Sequence, residues 1–347
     1  MNDKWHSFLN GIGAVIDNEM VTHFGSFNEE IKADSGSNII CDLSHIGLIK
    51  VQGEDASTFL HNQLTNDLKA LAPNQTQLSG YCNPKGRLLA LFRVIAQQDG
   101  YTLMLPREII EPTLKRLRMF VMMSKVTLED ASHDQAHIGL SGPGIERALS
   151  TQLGIEPPAV DAAVSQDEFT LLRVPGPQPR YQLFGNIDTL SAQWQALSDV
   201  ATPAGGGTWE RLDIEAGLPV IHKETVESFV PQMVNLQAVG GLSFTKGCYP
   251  GQEVVARMQY LGKLKRRLYI ACARSDYLPA PGDHIVTSSD NGERKTGEIV
   301  AAQWTAEKRV ILTAVIEIAT AESDSLHLGS LTGPSLTLKE LPYPLEI

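Results

Sequence analysis

Cysteine is scarce in this chain. There are four in 347 residues, Cys41, Cys82, Cys248 and Cys272, and they are widely spaced. No C-x-x-C pair occurs, so zinc and iron–sulfur ligand spacings are missing and no metal is expected. That density also excludes a disulfide framework, and reduced thiols in the cytoplasm are the simplest account, so the expected location is cytoplasmic. Long apolar runs are missing too; none approaches the ~18 residues that span a bilayer, so no membrane partner is expected. The start, Met1-Asn2-Asp3-Lys4-Trp5-His6, lacks a basic flank followed by an apolar stretch, which excludes a visible signal peptide. Positive charge is in deficit: 29 Lys and Arg stand against 40 Asp and Glu, a net −11. That balance argues against bulk nucleic-acid binding, which needs phosphate neutralisation. There is no phosphate loop, no H-E-x-x-H, and no defensible Ser/His/Asp arrangement.

What remains is ordinary in composition, 42% apolar and 20% charged, and long enough for two or three domains. One stretch stands out: Ser243-Phe244-Thr245-Lys246-Gly247-Cys248-Tyr249-Pro250-Gly251-Gln252-Glu253. A lone Cys sits between two glycines, which tolerate backbone shapes other residues resist, and Pro250 fixes its own φ. Such a turn presents Cys248 near the surface. Lys246 can stabilise a thiolate, the reactive form of cysteine. The competing reading is a space-filling core thiol, since free Cys is often buried. For Lys246, Gln252 and Glu253 the competing role is turn capping and solvation.

The apolar pattern gives an element order. A strand over 45–51 precedes a helix from Asp55 to Leu68, with Ala56, Phe59, Leu60, Leu64 and Leu68 at helical spacing. A strand near 77–82, the turn Asn83-Pro84-Lys85-Gly86 and a strand from Leu88 to Ala96 follow. Asp99-Gly100 turns into Tyr101–Leu105, Ile110 to Val121 is helical, and Ser124–Leu128 closes the unit. The order is close to β-α-β-β-α-β with one extra strand. A looser second copy has strands at Gln135–Leu140, Phe169–Val174 and Tyr181–Phe184, and helices at Gly144–Leu153 and Ile187–Leu197. A helix Thr208–Ala216 is stopped by Gly217. Beyond Leu264 no helix is expected; short strands and turns, Asp290-Asn291-Gly292 the clearest, suggest a small antiparallel barrel or sandwich.

Further candidates lie in these elements. Arg211 and Glu215 are four apart on the helix and can form an exposed pair. Yet Glu215 sits in the last turn, where the helix dipole disfavours a carboxylate unless something else holds it. Asn83 and Lys85 suit a β-turn. Arg257, Lys263, Lys265, Arg266 and Arg267 occur without an acid from Ala256 to Arg267, with Tyr260 among them. That run can be a solvated face, or can meet the anionic tail of a ligand, a polyanion or an acidic partner.

The string Lys246-Gly247-Cys248-Tyr249-x-Gly251-Gln252-Glu253 resembles the signature of the YgfZ family, folate-binding proteins related to the glycine-cleavage T protein, an aminomethyltransferase. The resemblance continues through Phe59-Leu60-His61-Asn62-Gln63-Leu64-Thr65-Asn66-Asp67, Asn83-Pro84-Lys85-Gly86, Arg211 to Pro219, Val230-Pro231-Gln232, Asn235-Leu236 and Leu341-Pro342-Tyr343. It implies an α+β protein of T-protein-like, three-domain architecture around a folate cavity. Two ferredoxin-like split βαβ domains would be followed by a C-terminal small antiparallel β-barrel. The expected division is 1–132, completed by 206–263; then 133–205; then 264–347. The resemblance also implies a tetrahydrofolate-binding accessory factor, taking tetrahydrofolate or a one-carbon-substituted folate. Such a factor supports iron–sulfur cluster assembly or repair, and through iron–sulfur enzymes tRNA modification. Its partners would be iron–sulfur enzymes or cluster-assembly proteins. Cys248 and Lys246 become the reactive site, Glu215 the pterin ligand, and Arg211, Asn83, Lys85, Gln252 and Glu253 the residues around the cofactor.

In the aminomethyltransferase the stretch after the Gly86 turn carries paired acids, one serving one-carbon transfer. Here it reads Leu89-Ala90-Leu91. Alanine can neither move a proton nor stabilise charge. A folate-dependent aminomethyl- or methyl-transferase therefore ranks below the accessory factor. A non-enzymatic regulator binding RNA or protein through Ala256–Arg267 is the third possibility.

Overall fold

The computed structural model describes residues 1–25, 36–122, 124–166, 168–290, 292–305, 308–323 and 325–345. The chain divides into two compact units, one of residues 1–56, 71–77 and 93–212, the other of 57–70, 78–92 and 213–347. Strands and helices are mixed along the chain, with runs of consecutive strands between helices.

The first unit contains a six-stranded sheet in the order Ala163–Gln166, Phe169–Val174, Arg180–Gly185, Ala136–Ser141, Ile39–Asp42, Thr202–Ala204. Ile187, Leu190, Trp194 and Leu197 recur along helix Ile187–Leu197 and are buried against it. Asn186 opens that helix, its side-chain oxygen accepting from the amides of Asp188 and Thr189 at 2.9 and 3.2 Å. Trp5, from helix Asp3–Gly11, meets Trp194 edge to face at 6.0 Å. Strand Phe169–Val174 and helix Ile187–Leu197 have the bounds the pattern predicts. The helix expected over 144–153 is instead one turn, Ile145–Ala148, followed by a π-helical turn, Leu149–Leu153, which Gly154 ends at φ +64°. Strand Ile39–Asp42 has no counterpart in the apolar pattern: all four of its residues are buried, so it shows no alternation to read.

A five-stranded sheet runs Thr76–Cys82, Leu88–Gln97, Gly100–Pro106, Ile46–Gln52, Thr127–Asp130. These are the strands expected from the N-terminal pattern, in the order β-α-β-β-β-α-β, that is β-α-β-β-α-β with the extra strand, the closing one lying at Thr127–Asp130 and not 124–128. The helix expected from Asp55 to Leu68 is shorter, Ala56–Gln63. Thr65 leaves the helix to pair with the second unit's own backbone: its amide donates to Gly80 at 2.9 Å and its hydroxyl to Gly241 at 2.8 Å.

In the second unit the C-terminal strands form one antiparallel sheet, a curled half-barrel in the order His327–Leu328, His284–Ser289, Gly292–Thr305, Arg309–Glu317, Arg266–Arg274, Thr337–Lys339. Ser289 pairs with Gly292 across the expected turn, whose Asn291 lies outside the described residues. Contrary to expectation, a short helix, Ile318–Ser323, interrupts this region. A second helix without a counterpart in the apolar pattern is Gln252–Tyr260. It buries only Val255, so it lacks the apolar stripe that would reveal it.

Candidate functional site

The segment 243–252 is held from below by one side chain. Lys246 is 7% exposed, and its ammonium donates to the carbonyls of His61, Leu64 and Asn66. These carbonyls lie at and beyond the C-terminal end of helix Ala56–Gln63. That end carries unpaired acceptors and the negative pole of the dipole, so a cation is the matching cap. The ammonium also lies 5.2 Å from the centre of the Tyr249 ring. Lys246 is thus aimed into the unit, at the 61–66 backbone, and not out beside a thiolate. Burial pushes its pKa down to about 8, with Asp67 pulling the other way.

His61 shares this layer. It is 6% exposed, its Nδ1 lies 3.2 Å from the Asp67 carboxylate, and its Nε2 faces Gly247, where a Cβ would sit 3.7 Å away. Burial lowers the His61 pKa, with the Lys246 charge adding to the effect. His61 and Asp67 belong to the string that carried the family resemblance, but no pattern in it revealed their part in the turn's support.

The far side of the turn is fixed by glycine. Gly251 has φ +82°, and a Cβ there would come within 2.5 Å of the Asn83 carbonyl oxygen and 2.6 Å of the Gly86 Cα. The Asn83-Pro84-Lys85-Gly86 turn therefore packs directly on the start of helix Gln252–Tyr260. Asn83 spends its own side chain on that turn: Oδ1 accepts from the amides of Lys85 and Arg87 at 2.8 and 3.0 Å. Its Nδ2 donates to Glu227 at 2.9 Å. Lys85 is exposed beside it. Gln252 donates weakly to the carbonyls of Lys246 and Gly247, at 3.4 and 3.5 Å, and Glu253 is exposed.

Between these two anchors Cys248 is exposed, while Cys41 and Cys82 are buried and Cys272 is half-buried. Cys82 is a poor competitor, because burial pushes its pKa up to about 12. Cys272 is also shifted upward, by burial first and with a contribution from Glu215. Limited alkylation with iodoacetamide should therefore modify Cys248 first, Cys272 next, and Cys41 and Cys82 last; peptide mapping checks the order. Modification of Cys82 ahead of Cys248 would contradict it.

Lys246→Met should loosen this support. The three carbonyls lose their donor while remaining buried, which should cost about 2–4 kcal/mol. The pH dependence has a definite sign. The folded-state pKa, about 8, lies below the unfolded value of 10.5, so across that window the unfolded chain holds the proton and the folded one has released it. The stability advantage of wild type over Lys246→Met should grow from pH 8 to pH 10.5, read by urea unfolding at the two ends.

A second group forms around the end of helix Gly206–Glu215. Gly217 follows in the left-handed region at φ +63°, as expected of a helix stop. Tyr343 closes over it: a Cβ on Gly217 would meet the tyrosine ring at 2.8 Å, and the hydroxyl donates to the Gly217 carbonyl at 2.8 Å. The Tyr343 hydroxyl in turn accepts from Asn235 Nδ2 at 3.5 Å, and that amide also donates to Leu268 at 3.0 Å. Asn235 is 1% exposed, and its Oδ1 is a buried acceptor with no hydrogen-bond partner. Glu215 is half-buried beside Cys272. Arg211, one turn earlier, is buried and not on an exposed face as expected. Of the predicted residues, the structure gathers Asn83, Lys85, Lys246, Cys248, Gln252 and Glu253 around one turn. It places Glu215 and Arg211 on a separate helix.

Residues 9–178 match the GCVT N-terminal domain family. The fold resembles that of glycine cleavage system aminomethyltransferase T from Bartonella henselae, with a TM-score of 0.79 at 15% identity, covering 99% of this chain and 97% of that one. The α+β, T-protein-like architecture expected from the sequence is therefore the architecture found. The protein named tRNA-modifying protein YgfZ from Edwardsiella ictaluri (strain 93-146) is 34% identical over 299 residues, 86% of this chain and 90% of that protein. Its namesake from Colwellia psychrerythraea (strain 34H / ATCC BAA-681) is 32% identical over 307 residues, 88% and 93%. At that identity over that length, this chain belongs to the YgfZ family.

Proposed function

We propose that this chain binds tetrahydrofolate or a one-carbon-substituted folate. In the cytoplasm it acts as an accessory factor for iron–sulfur cluster assembly or repair, and thereby for tRNA modification by iron–sulfur enzymes. The observation that carries this reading is Cys248: the one exposed thiol of the four, on a turn clamped by Lys246 on one side and Gly251 on the other. A thiol held in place yet open to solvent is suited to react with, or briefly hold, a group on a partner. The relatives' name agrees with the tRNA end of the reading.

The second group has the chemistry a pterin needs. A pterin presents a planar pair of N–H donors, and a carboxylate accepts such a pair in two parallel bonds. Glu215 is half-buried at a helix end whose dipole disfavours it, and the buried Asn235 Oδ1 is an acceptor without a donor. In this reading Glu215 accepts from the pterin, while Tyr343 and Asn235 keep the Gly217 helix stop in place. Folate, when bound, supplies a one-carbon carrier. Titration calorimetry with tetrahydrofolate and 5-formyl-tetrahydrofolate tests the reading; absence of heat with both would end it.

The aminomethyltransferase alternative lacks its acid. Leu89-Ala90-Leu91 lies in strand Leu88–Gln97, with Ala90 fully buried and Leu91 nearly so. Purified protein supplied with tetrahydrofolate and the lipoyl carrier should show no glycine-cleavage aminomethyl transfer. Turnover well above background would reverse this ranking.

A further inference from the structure

Helix Gln252–Tyr260 begins three residues after Cys248's neighbour Tyr249 and carries a face that the second unit does not cover. Its start is fixed by Gly251 on the Asn83–Gly86 turn, and Val255 is its buried residue. Val254 is 39% exposed, Tyr260 69% and Leu261 83%. Tyr260 meets only the edge of Phe244 among the described rings, at 6.3 Å. Large apolar side chains gathered in the open mark a contact surface more often than scattered ones do.

The charges around them are unbalanced in a specific way. Arg266 is paired with Glu317 at 2.8 Å, and Arg267 bonds the Tyr269 hydroxyl at 2.9 Å and approaches Glu322 at 3.8 Å. Arg257, Lys263 and Lys265 are exposed, and among the described residues no ion pair is recorded for them. In a chain of net −11 these three form a local positive rim around an apolar centre. An apolar centre with aromatic and Arg side chains and a charged rim is the composition of a protein interface. Three cations with one aromatic ring make a poor nucleic-acid footprint, because affinity there scales with the number of phosphates neutralised.

We infer that the Val254–Lys265 face docks a protein whose matching surface is acidic around an apolar patch, and that docking brings that partner to Cys248. This deepens the accessory-factor reading and rests on it. The occupant is acidic because the rim is basic and, among the described residues, none of its three cations is in an ion pair, Glu253 being the one acid near it on the same helix. It must be a protein because Leu261 and Val254 offer contact area and no hydrogen bonds.

The test uses the full-length chain. One variant combines Arg257→Glu, Lys263→Glu and Lys265→Glu; a second is Leu261→Asp. Each should fail to restore iron–sulfur enzyme activity in a strain lacking the protein, while thermal unfolding and the affinity for tetrahydrofolate stay at wild-type values. A photo-crosslinker at position 261 should give a protein adduct in the wild-type background that disappears with the three charge reversals. Full complementation by both variants would overturn the inference. So would weakened binding of polyglutamyl tetrahydrofolate, which would assign the rim to the cofactor tail. Charge-dependent binding of bulk tRNA at physiological salt, or an adduct with a second copy of this chain, would equally overturn it. If the wild type binds no folate while the docking variants still lose function, the folate reading fails and the docking surface stands.

Discussion

Cys248→Ala should fold as the wild type does and fail completely in the cell. The thiol is exposed, so removing it uncovers little buried area and should change stability by less than about 0.5 kcal/mol. The supports on either side, Lys246 on the carbonyls of residues 61, 64 and 66 and Gly251 on the Asn83 turn, do not use the sulfur. The turn should therefore keep its shape in the variant. Function is another matter if the sulfur is the group that reacts. In a strain lacking the wild-type protein, Cys248→Ala should leave iron–sulfur enzyme activity at the level of the deletion. Cys248→Ser tests the same point with a side chain of nearly the same size but far weaker nucleophilicity. Full complementation by the alanine variant would make the thiol dispensable and remove the main support for the proposed function.

Glu215→Ala should weaken tetrahydrofolate binding at least about tenfold, since a charge-assisted hydrogen bond is worth about 1.5–3 kcal/mol. The carboxylate sits in the last turn of helix Gly206–Glu215, where its charge is unfavourable without a partner. Thermal unfolding of the variant, measured beside the calorimetry, separates a lost ligand contact from a lost fold. Glu215→Gln keeps one acceptor but loses the charge, so it should fall between wild type and alanine. Equal affinities in calorimetry for wild type and Glu215→Ala would take Glu215 out of the site.

Much of the architecture is legible in the sequence. The strands at 46–52, 76–82, 88–97 and 100–106 follow from apolar runs between clear turns, and helix Ile187–Leu197 from a stripe of Ile, Leu and Trp. The exposure of Cys248 followed from its glycines. Elements without a periodic face were missed. Strand Ile39–Asp42 is buried on both sides, and helix Gln252–Tyr260 buries one residue.

By itself the sequence determined the α+β class and the presentation of Cys248, because apolar periodicity and glycine spacing are local properties that a string of residues carries; the family followed from the resemblance of its motifs. Only the tertiary structure decided the direction of Lys246, the supporting roles of His61, Asp67, Asn235 and Tyr343, and the burial of Cys82. Each of these depends on which backbone carbonyls lie unpaired near which side chain. The carbonyls that hold Lys246 lie 180 to 185 residues earlier in the chain, where helix Ala56–Gln63 ends short of its apolar pattern. No spacing rule reaches across that distance; the cation goes where desolvated acceptors are left over, and that is settled only when the chain has folded.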